Sequence, residues 1–259
     1  MAATAGLDIG SVATKAVVLV DGRVLGRSKL RSGADPAAGA VRALRLAALD
    51  AGTDEADVER AVATGYGRRT IDLADDVVTE ITAAARGAHQ VGAPWGTPRL
   101  IVDLGGQDTK VILLGEDGLV RDFAMNDRCA AGTGRFLEVM ADLLEVPLDR
   151  LGELDREADE PAPVNATCTV FAESEVISLI AGGARREDIA AGLHVAIAAR
   201  IAAMVRPMGD HDVFFIGGGA FNDGVRRALA RTLDRRVSVP PHPQHVVALG
   251  AALSRARRS

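Results

Sequence analysis

Residues 7–15 of the chain read LDIGSVATK, and residues 102–110 read VDLGGQDTK. The second stretch repeats the first at an offset of 95 positions, with four identical residues: Asp8 and Asp103, Gly10 and Gly105, Thr14 and Thr109, Lys15 and Lys110. Each copy runs from an apolar strand through a glycine turn into a second and then a third strand. An internal repeat of this kind indicates two similar lobes.

Helical patterns alternate with these strands, which favours an α/β fold. Helices are predicted over 36–51, 80–89, 136–144, 193–204, 223–233 and 244–257, with another around Val176. The Pro- and Gly-rich segment 92–98 predicts the lobe boundary. We expect a first lobe over residues 1–96, completed by a C-terminal helix at 244–259, and a second lobe over residues 97–243. The acidic segment 153–163 is expected to be a surface excursion.

Composition narrows the class of protein. The 259 residues carry 30 basic and 35 acidic side chains, a net charge of −5, which argues against nucleic acid as the main partner. We expect no export signal, because the start has no basic segment followed by an apolar one. No apolar run reaches about 18 residues, so no membrane span is expected. Two cysteines in a chain of this length fit a reducing compartment, hence the cytoplasm.

The repeated loops have the residues of a phosphate site. Asp8 and Asp103 come at strand ends beside tight glycine turns. Glycines let backbone N–H groups approach phosphate oxygens, and the carboxylates would face a Mg²⁺ that bridges those phosphates. Ser11, Thr14 and Lys15 could add donors. For either copy alone, an ordinary hairpin with an Asp at its turn explains the pattern equally well.

A third glycine loop, residues 217–222 (GGGAFN), follows the apolar strand 212–216 and precedes a predicted helix. Such a turn can pass under a nucleotide and offer N–H groups near the helix start. The chain contains neither G-x-G-x-x-G nor G-x-x-x-x-G-K-[ST]. A Rossmann dinucleotide site and a Walker-type site therefore both lack support.

Cys129 and Cys168 are the only cysteines, and each precedes a stretch with helical periodicity. A cubane iron–sulfur cluster usually takes four thiolates. One chain supplies two, and a symmetric dimer would supply four around its two-fold axis. On cysteine count alone, two buried structural thiols or one disulfide remain the simpler explanations.

The three loops, with small-residue helices at 80–87 and 248–252, resemble the actin, Hsp70 and sugar-kinase superfamily. Within it, residues 103–110, 125–138 and 167–176 resemble the activators of 2-hydroxyacyl-CoA dehydratases, to which the ATPase subunits of benzoyl-CoA reductase are related. The resemblance covers essentially the whole chain. It implies a duplicated two-lobe ATPase fold with a nucleotide cleft between the lobes, in which the two small-residue helices cross closely.

The resemblance also implies a function. It implies a homodimeric, cytoplasmic ATPase with one [4Fe-4S] cluster held by Cys129 and Cys168 of each subunit. Such proteins accept an electron from reduced ferredoxin or flavodoxin. With ATP hydrolysis they pass it to an iron–sulfur partner, here a 2-hydroxyacyl-CoA dehydratase or a related CoA-ester reductase.

Site roles carry over residue by residue. Glu80, at the start of the first small-residue helix, would orient the attacking water, and Asp8 and Asp103 would position Mg²⁺, mostly through water. ATP or ADP phosphates would contact Gly10, Ser11, Thr14, Lys15, Gly105, Gly106 and Gln107. The adenosine side would contact Gly217, Gly218, Gly219 and Asn222. Phe221 stands where the family often has a lysine, so the contact expected there is in doubt.

Two other functions fit the phosphate loops. A small-molecule kinase of the same superfamily would use them, but it gives the cysteine motifs no role and needs an acceptor pocket for which no insert is evident. A nucleotide-binding switch without useful turnover would show tight nucleotide binding with negligible hydrolysis.

Overall fold

The computed structural model describes residues 3–164 and 168–254, apart from the side chain of Trp95. Residues 165–167 of the second cysteine motif, and the predicted helix beyond residue 254, lie outside the described residues. The chain divides into two compact units. Unit 1 comprises residues 1–98, 114–121 and 240–259, and unit 2 comprises residues 99–113 and 122–239. The turn at 114–121, which was expected in the second lobe, therefore belongs with unit 1.

Strands and helices alternate in groups along the chain. The strands are β1 (Ala3–Ile9), β2 (Ala13–Val20), β3 (Arg23–Arg31), β4 (Val58–Thr64), β5 (Asp76–Val77), β6 (Leu100–Leu104), β7 (Thr109–Leu114), β8 (Val120–Asn126), β9 (Val213–Ile216) and β10 (Val237–Ser238). The α-helices are α1 (Pro36–Asp50), α2 (Glu80–Gly92), α3 (Gly134–Leu143), α4 (Leu148–Leu154), α5 (Thr169–Ala181), α6 (Arg186–Val205), α7 (Asp223–Leu233) and α8 (Val246–Ala252).

The two sheets have the same topology. The first has the order β3-β2-β1-β4-β5 and the second β8-β7-β6-β9-β10. In each sheet the first strand of the repeat pairs antiparallel with the second strand and parallel with the fourth. The duplication and the α/β fold predicted from the repeat are therefore confirmed.

Each unit has its own apolar core. In unit 1, α1 packs its alanine-rich face on one side of the sheet, with Ala43, Leu44 and Ala47 against β1, β2 and β4. On the other side, α8 contacts Val17 and Leu19 of β2. In unit 2, the core joins β6, β7 and β9 to α3, α6 and α7. Small aliphatic side chains fill these cores, as the low aromatic content requires.

Helices α2 and α8 cross so closely that their backbones are in contact. A Cβ placed on Gly87 would lie 1.9 Å from the Val246 carbonyl oxygen, and one on Gly250 would lie 1.7 Å from that of Ala83. Only glycine fits at both positions, because a real Cβ needs more than 3 Å. The close crossing expected for the two small-residue helices is confirmed.

The last helix is shorter than the sequence predicts. It was expected to run to about residue 257, but α8 ends at Ala252. The Ser254 hydroxyl donates back to the Gly250 carbonyl oxygen at 2.9 Å and accepts from Arg86 at 2.5 Å. Arg60 donates to the Ser254 carbonyl oxygen. Two cations thus satisfy the polar groups at this end, where the helix dipole favours positive charge.

One further expectation needs correction. The excursion at 153–163 is not wholly at the surface, since the side chain of Asp155 is 3% exposed and paired inside unit 2.

Residues 186–208, which comprise α6 and the turn after it, are long and apolar enough to span a membrane by length and composition alone. About 61% of that apolar window is buried inside the protein, as expected for a core helix.

Candidate nucleotide and cluster sites

The first phosphate loop joins β1 to β2. Gly10 closes it by donating its N–H to the Ala13 carbonyl oxygen at 3.2 Å, and a Cβ on Gly10 would lie 2.9 Å from that same oxygen. Asp8, at the end of β1, is 6% exposed and accepts from Lys15 Nζ at 2.8 Å. The strand-end carboxylate thus lies beside a cation and a glycine turn, an arrangement suited to Mg²⁺ and phosphate.

Ser32, which follows β3, holds this loop from inside. Its hydroxyl donates to the Gly10 carbonyl oxygen at 2.5 Å, so the hydroxyl of Thr14, 3.1 Å away, is the donor to Ser32. Thr14 is fully buried, whereas Ser11 is exposed. Of the two predicted hydroxyl donors, Ser11 is therefore accessible to a ligand, whereas the Thr14 hydroxyl is bonded to Ser32 inside the protein. Ser32 lies outside both copies of the motif, and no pattern in the sequence points to it.

The second phosphate loop joins β6 to β7 in the same way. The Gly105 N–H donates to the Asp108 carbonyl oxygen at 2.9 Å, and Gln107 is exposed at the tip. Asp103 is 6% exposed at the end of β6. Lys110, 4% exposed, pairs with the Asp108 carboxylate at 2.7 Å. The second loop therefore buries a lysine against a loop carboxylate that the repeat did not point to.

The third glycine loop lies against the second inside unit 2. Gly217 has φ of +87°, and a Cβ there would be 2.4 Å from Asp103 Oδ1. A Cβ on Gly219 would be 2.1 Å from Leu104 Cδ2. Glycine is required at both positions, by the positive φ at the first and by the close approach at both. Asp103 and the predicted adenosine loop are thus brought together.

Asn222 ends the third loop and caps α7. Its Oδ1 accepts from the Val225 N–H at 3.0 Å. Its Nδ2 is buried and makes no hydrogen bond to any residue that the structure describes. Buried polar groups are normally paired, so this donor is suited to a bound ligand. The neighbouring Phe221 is 62% exposed and offers no charged contact.

Glu80 is the first residue of α2 and is half-buried in unit 1. The helix is capped by Thr79, whose hydroxyl accepts from the Thr82 N–H at 3.2 Å. A carboxylate in the first helical turn is favoured by the helix dipole. Unit 1 therefore contains Glu80 as well as the first loop, and the catalytic role of Glu80 stays a prediction.

Cys129 is a partly exposed thiol that forms no disulfide, at the start of a 3₁₀ turn, residues 130–132, that leads into α3. Asn126 fixes its backbone on both sides: the Cys129 N–H donates to Asn126 Oδ1 at 3.1 Å, and Asn126 Nδ2 donates to the Cys129 carbonyl oxygen at 2.9 Å. The Asn-x-x-Cys spacing is the sequence signal that could have predicted this turn.

Cys168 is also a partly exposed thiol that forms no disulfide, and it is the N-cap residue of α5. Since neither cysteine is bridged, the disulfide considered from the sequence does not form. The thiolate is the form of cysteine that binds metal. No group of three or more metal-ligating His, Cys, Asp or Glu side chains occurs within the described residues.

The second phosphate loop is bonded to the segment after Cys129. The N–H groups of Gly134 and Arg135 donate to the carbonyl oxygens of Gly105 and Gly106, each at 2.8 Å. Thr109 Oγ1 donates to the Gly132 carbonyl oxygen at 2.5 Å. The second phosphate loop is therefore connected to the start of α3 by direct hydrogen bonds. No pattern in the sequence reveals this connection.

Comparison with known proteins identifies the family of this chain. Residues 5–254 match the BadF/BadG/BcrA/BcrD ATPase family. The chain belongs to this family. The activator of lactoyl-CoA dehydratase from Anaerotignum propionicum is 45% identical over 251 residues, which cover 96% of each chain. Two sugar kinases of known structure, each 17% identical to this chain, share its fold, with TM-scores of 0.51 and 0.54.

Two solved structures are close relatives. The activator of 2-hydroxyisocaproyl-CoA dehydratase from Clostridium difficile, with bound ADPNP, has a TM-score of 0.91 at 42% identity, covering 97% of this chain and 93% of that one. Component A of (R)-2-hydroxyglutaryl-CoA dehydratase from Acidaminococcus fermentans has a TM-score of 0.92 at 39% identity, covering 98% and 97%. The two-lobe ATPase fold of the family is therefore the fold of this chain.

Proposed function

We propose that this family member is an ATP-hydrolysing iron–sulfur activator. It accepts an electron from reduced ferredoxin or flavodoxin and transfers it at low potential to a 2-hydroxyacyl-CoA dehydratase or a related CoA-ester reductase. The observation that carries the proposal is the link between a phosphate loop and a cysteine: Gly105 and Gly106 are hydrogen-bonded to the residues that follow Cys129. A simple kinase needs no such link.

The nucleotide half of the proposal uses the two loops of the repeat and the third glycine loop. Asp8 and Asp103 position Mg²⁺, and the backbone N–H groups of the glycine turns hold phosphates. The unpaired Asn222 Nδ2 is the donor offered to the adenosine side. Glu80 orients the water that attacks the terminal phosphate. The ADPNP bound to a relative at 42% identity supports ATP as the nucleotide.

The cysteines fit one [4Fe-4S] cluster shared by two subunits. Each chain has two cysteines that form no disulfide, and a cubane cluster takes four thiolates. Apolar side chains flank both cysteines at the surface: Phe123 and Met125 on β8 are 50% and 45% exposed, and Val170 and Phe171 on α5 are 64% and 68% exposed. A second copy of the chain would cover them. The cluster supplies the one-electron carrier, which no side chain of this protein could replace.

The relatives support a dehydratase as the electron acceptor. The lactoyl-CoA and 2-hydroxyisocaproyl-CoA relatives are named as dehydratase activators, and another relative, 31% identical, is a benzoyl-CoA reductase subunit from Thauera aromatica. An oxygen-protected, reducing compartment suits free thiols and a cluster, so we assign the protein to the cytoplasm. Its ferredoxin or flavodoxin donor would be found there too.

Cross-activation tests this function directly. The full chain, purified without oxygen, is mixed with Mg²⁺, ATP, a reduced flavodoxin and the lactoyl-CoA dehydratase of A. propionicum, whose own activator is 45% identical. We expect turnover of the CoA ester to begin only when ATP and the activator are both present. Cys129→Ser and Cys168→Ser should each abolish activation, and ADPNP should not replace ATP.

The matched control is Ser174→Ala, a change on the exposed part of α5 that leaves both thiols in place. It should activate like the wild type. Activation that survives loss of either cysteine would contradict the proposal. So would ATP-dependent phosphorylation of a small metabolite at an unchanged rate in the cysteine variants, which would favour a kinase.

A further inference from the structure

A buried ionic network in unit 2 has no role in the chemistry proposed above. His194 on α6 is fully buried, and its Nδ1 donates to Asp155 Oδ2 at 2.8 Å. The other oxygen of Asp155 accepts from Arg227 on α7. Among the described residues His194 Nε2 has no hydrogen-bond partner. Apolar side chains often fill such space at lower free-energy cost, so the polar groups are retained for something other than stability.

One end of the network reaches the third glycine loop. Residue Gly152 of α4 lies so close to the cap of α7 that a Cβ on it would be 2.7 Å from Asn222 Oδ1. Arg227 Nη2 donates to the Gly152 carbonyl oxygen at 2.8 Å, while the same guanidinium binds Asp155. Arg227 thus holds α4 against the residue that offers its free donor to the adenosine side.

The centre of the network joins α7 to α6. A Cβ on Gly224, in the first turn of α7, would lie 2.3 Å from His194 Cε1 and 2.9 Å from Asp155 Oδ2. Burial by itself would raise the pKa of Asp155, but the hydrogen bonds from His194 and Arg227 outweigh it and lower that pKa. The carboxylate is therefore charged at neutral pH and holds both partners.

The other end reaches the segment that leads to Cys168. Asp188, near the start of α6, accepts through Oδ1 from the N–H groups of Asp159 and Glu160 at 2.8 and 3.3 Å. Its carbonyl oxygen accepts from the Ala162 N–H at 2.8 Å. One helix, α6, therefore carries both His194 and the residue that holds 159–162.

We propose that Arg227, Asp155 and His194 are positioning residues that couple the adenosine side of the nucleotide site to the segment before Cys168. This coupling rests on the proposed nucleotide site. A nucleotide bound to Asn222 stabilises the start of α7, and the three residues pass that stabilisation to α6 and to residues 159–162. The phosphate side reaches Cys129 by a different route, through Gly134.

Hydrogen exchange of the full chain, with and without saturating Mg²⁺ and ADP, tests the two routes separately. The reporters are the N–H groups of Asp159, Glu160 and Ala162 and those of Gly134 and Arg135. In the wild type, ADP should slow exchange in both groups by about fivefold or more. Arg227→Lys, which lacks the planar fork, and His194→Leu should lose the slowing at 159–162 and keep it at 134–135. His194→Asn, whose side-chain amide can replace the Nδ1–H donor, should restore it.

Calorimetric titration with ADP confirms saturation for each variant and separates the possible failures. Slowing at 134–135 but not at 159–162 in the wild type would overturn the coupling and leave the nucleotide site intact. Loss of slowing at both groups in the saturated variants would make the network merely structural and also overturn it. A wild type that binds no ADP would instead overturn the proposed function.

Discussion

The two copies of the repeat share a strand register but differ in what holds their loops. In each copy the strand-end aspartate faces a lysine across the hairpin, Asp8 opposite Lys15 and Asp103 opposite Lys110. The first loop is held through Ser32, which directly follows β3 of the same sheet.

The second loop is held instead from the start of a helix. Gly134, at the start of α3, donates to the Gly105 carbonyl oxygen. Duplication thus gives two loops of equivalent topology, and within the described residues only the second is bonded to a segment that follows a cysteine. Under the proposed function, nucleotide binding and cluster binding therefore meet in the second copy, whereas the first copy serves the nucleotide alone.

The largest expected effect comes from a position where the first copy has a glycine and the second copy has a large side chain. Gly6 of β1 corresponds to the buried Ile101 of β6, 95 positions later. A Cβ on Gly6 would lie 1.9 Å from the Ala248 carbonyl oxygen of α8. Gly6→Ala should therefore lower the free energy of unfolding by about 3 kcal/mol or more, measured by urea denaturation.

The matched control is Gly39→Ala in α1, where the nearest atom to the new Cβ is 3.4 Å away. It should be neutral or gain up to about 1 kcal/mol, because alanine favours the helix. Equal stabilities for the Gly6 and Gly39 variants would show that α8 does not pack on β1 as described.

A second prediction tests whether the two carboxylates are equivalent. Asp8→Asn and Asp103→Asn should each lower kcat/KM for ATP hydrolysis about 100-fold, because each removes an anionic oxygen that positions the metal. Phosphate release gives the rate. The control is Asp117→Asn, an exposed carboxylate in the turn after β7 that pairs with Arg121. A wild-type rate for either loop variant would break the equivalence of the copies.

A third prediction concerns what holds each loop. A Cβ on Gly134 would be 2.9 Å from the Gly105 carbonyl oxygen, so Gly134→Ala should weaken ADP binding about tenfold and speed amide exchange around Cys129. Ser32→Ala removes the hydrogen bonds that the hydroxyl makes with Gly10 and Thr14. It should weaken ADP binding about fivefold with no change in amide exchange around Cys129. Faster exchange at Cys129 in the Ser32 variant would remove the distinction between the copies.

The smallest expected effects are changes in stability with pH, which differ between the two units. In unit 1, burial lowers the pKa of His245, although the Ser28 carbonyl oxygen opposes this. As pH falls below about 6.5, the unfolded chain takes up this proton first, so unit 1 loses stability there. In unit 2, burial would raise the pKa of Asp223, but hydrogen bonds from Arg226 and Arg156 lower it to about 2.

Because its folded pKa is depressed, Asp223 stabilises unit 2 above about pH 4, and this is lost between about pH 4 and 2. The contribution is at most about 1 kcal/mol, since the carboxylate is 37% exposed and screened by solvent. In urea denaturation, His245→Gln should not show the loss of stability that the wild type shows below about pH 6.5. At neutral pH Asp223→Asn should be less stable than the wild type, and this difference in the free energy of unfolding should vanish at about pH 2. Unchanged profiles in both variants would contradict these assignments.

Most of the fold could be predicted from the sequence because its elements are marked locally. The repeat predicts both strand–turn–strand motifs, and α7 has the bounds expected, 223–233. The helix at α4 was missed because its pattern is short, and the two-residue strands β5 and β10 have no periodicity of their own. Their existence depends on the neighbouring strand in space rather than on sequence.

The site was less accessible to prediction. Individual loop residues could be named, but their tethers join distant parts of the chain: Ser32 to Gly10, and Gly134 to Gly105. The same reason explains Asp155, which looks like part of an acidic surface segment and is buried because His194 and Arg227 face it. A histidine within an apolar helix such as α6 was the only signal of that network.

The central claim is that Cys129 and Cys168 bind a cluster that two copies of the chain share. Iron and acid-labile sulfide, measured per chain on protein purified and reconstituted without oxygen, test it most directly beside Cys129→Ser and Cys168→Ser. The account predicts about two irons per chain, a dimer in solution, and loss of iron in both variants. Iron-free, colourless wild-type protein would contradict it and return both cysteines to a structural role.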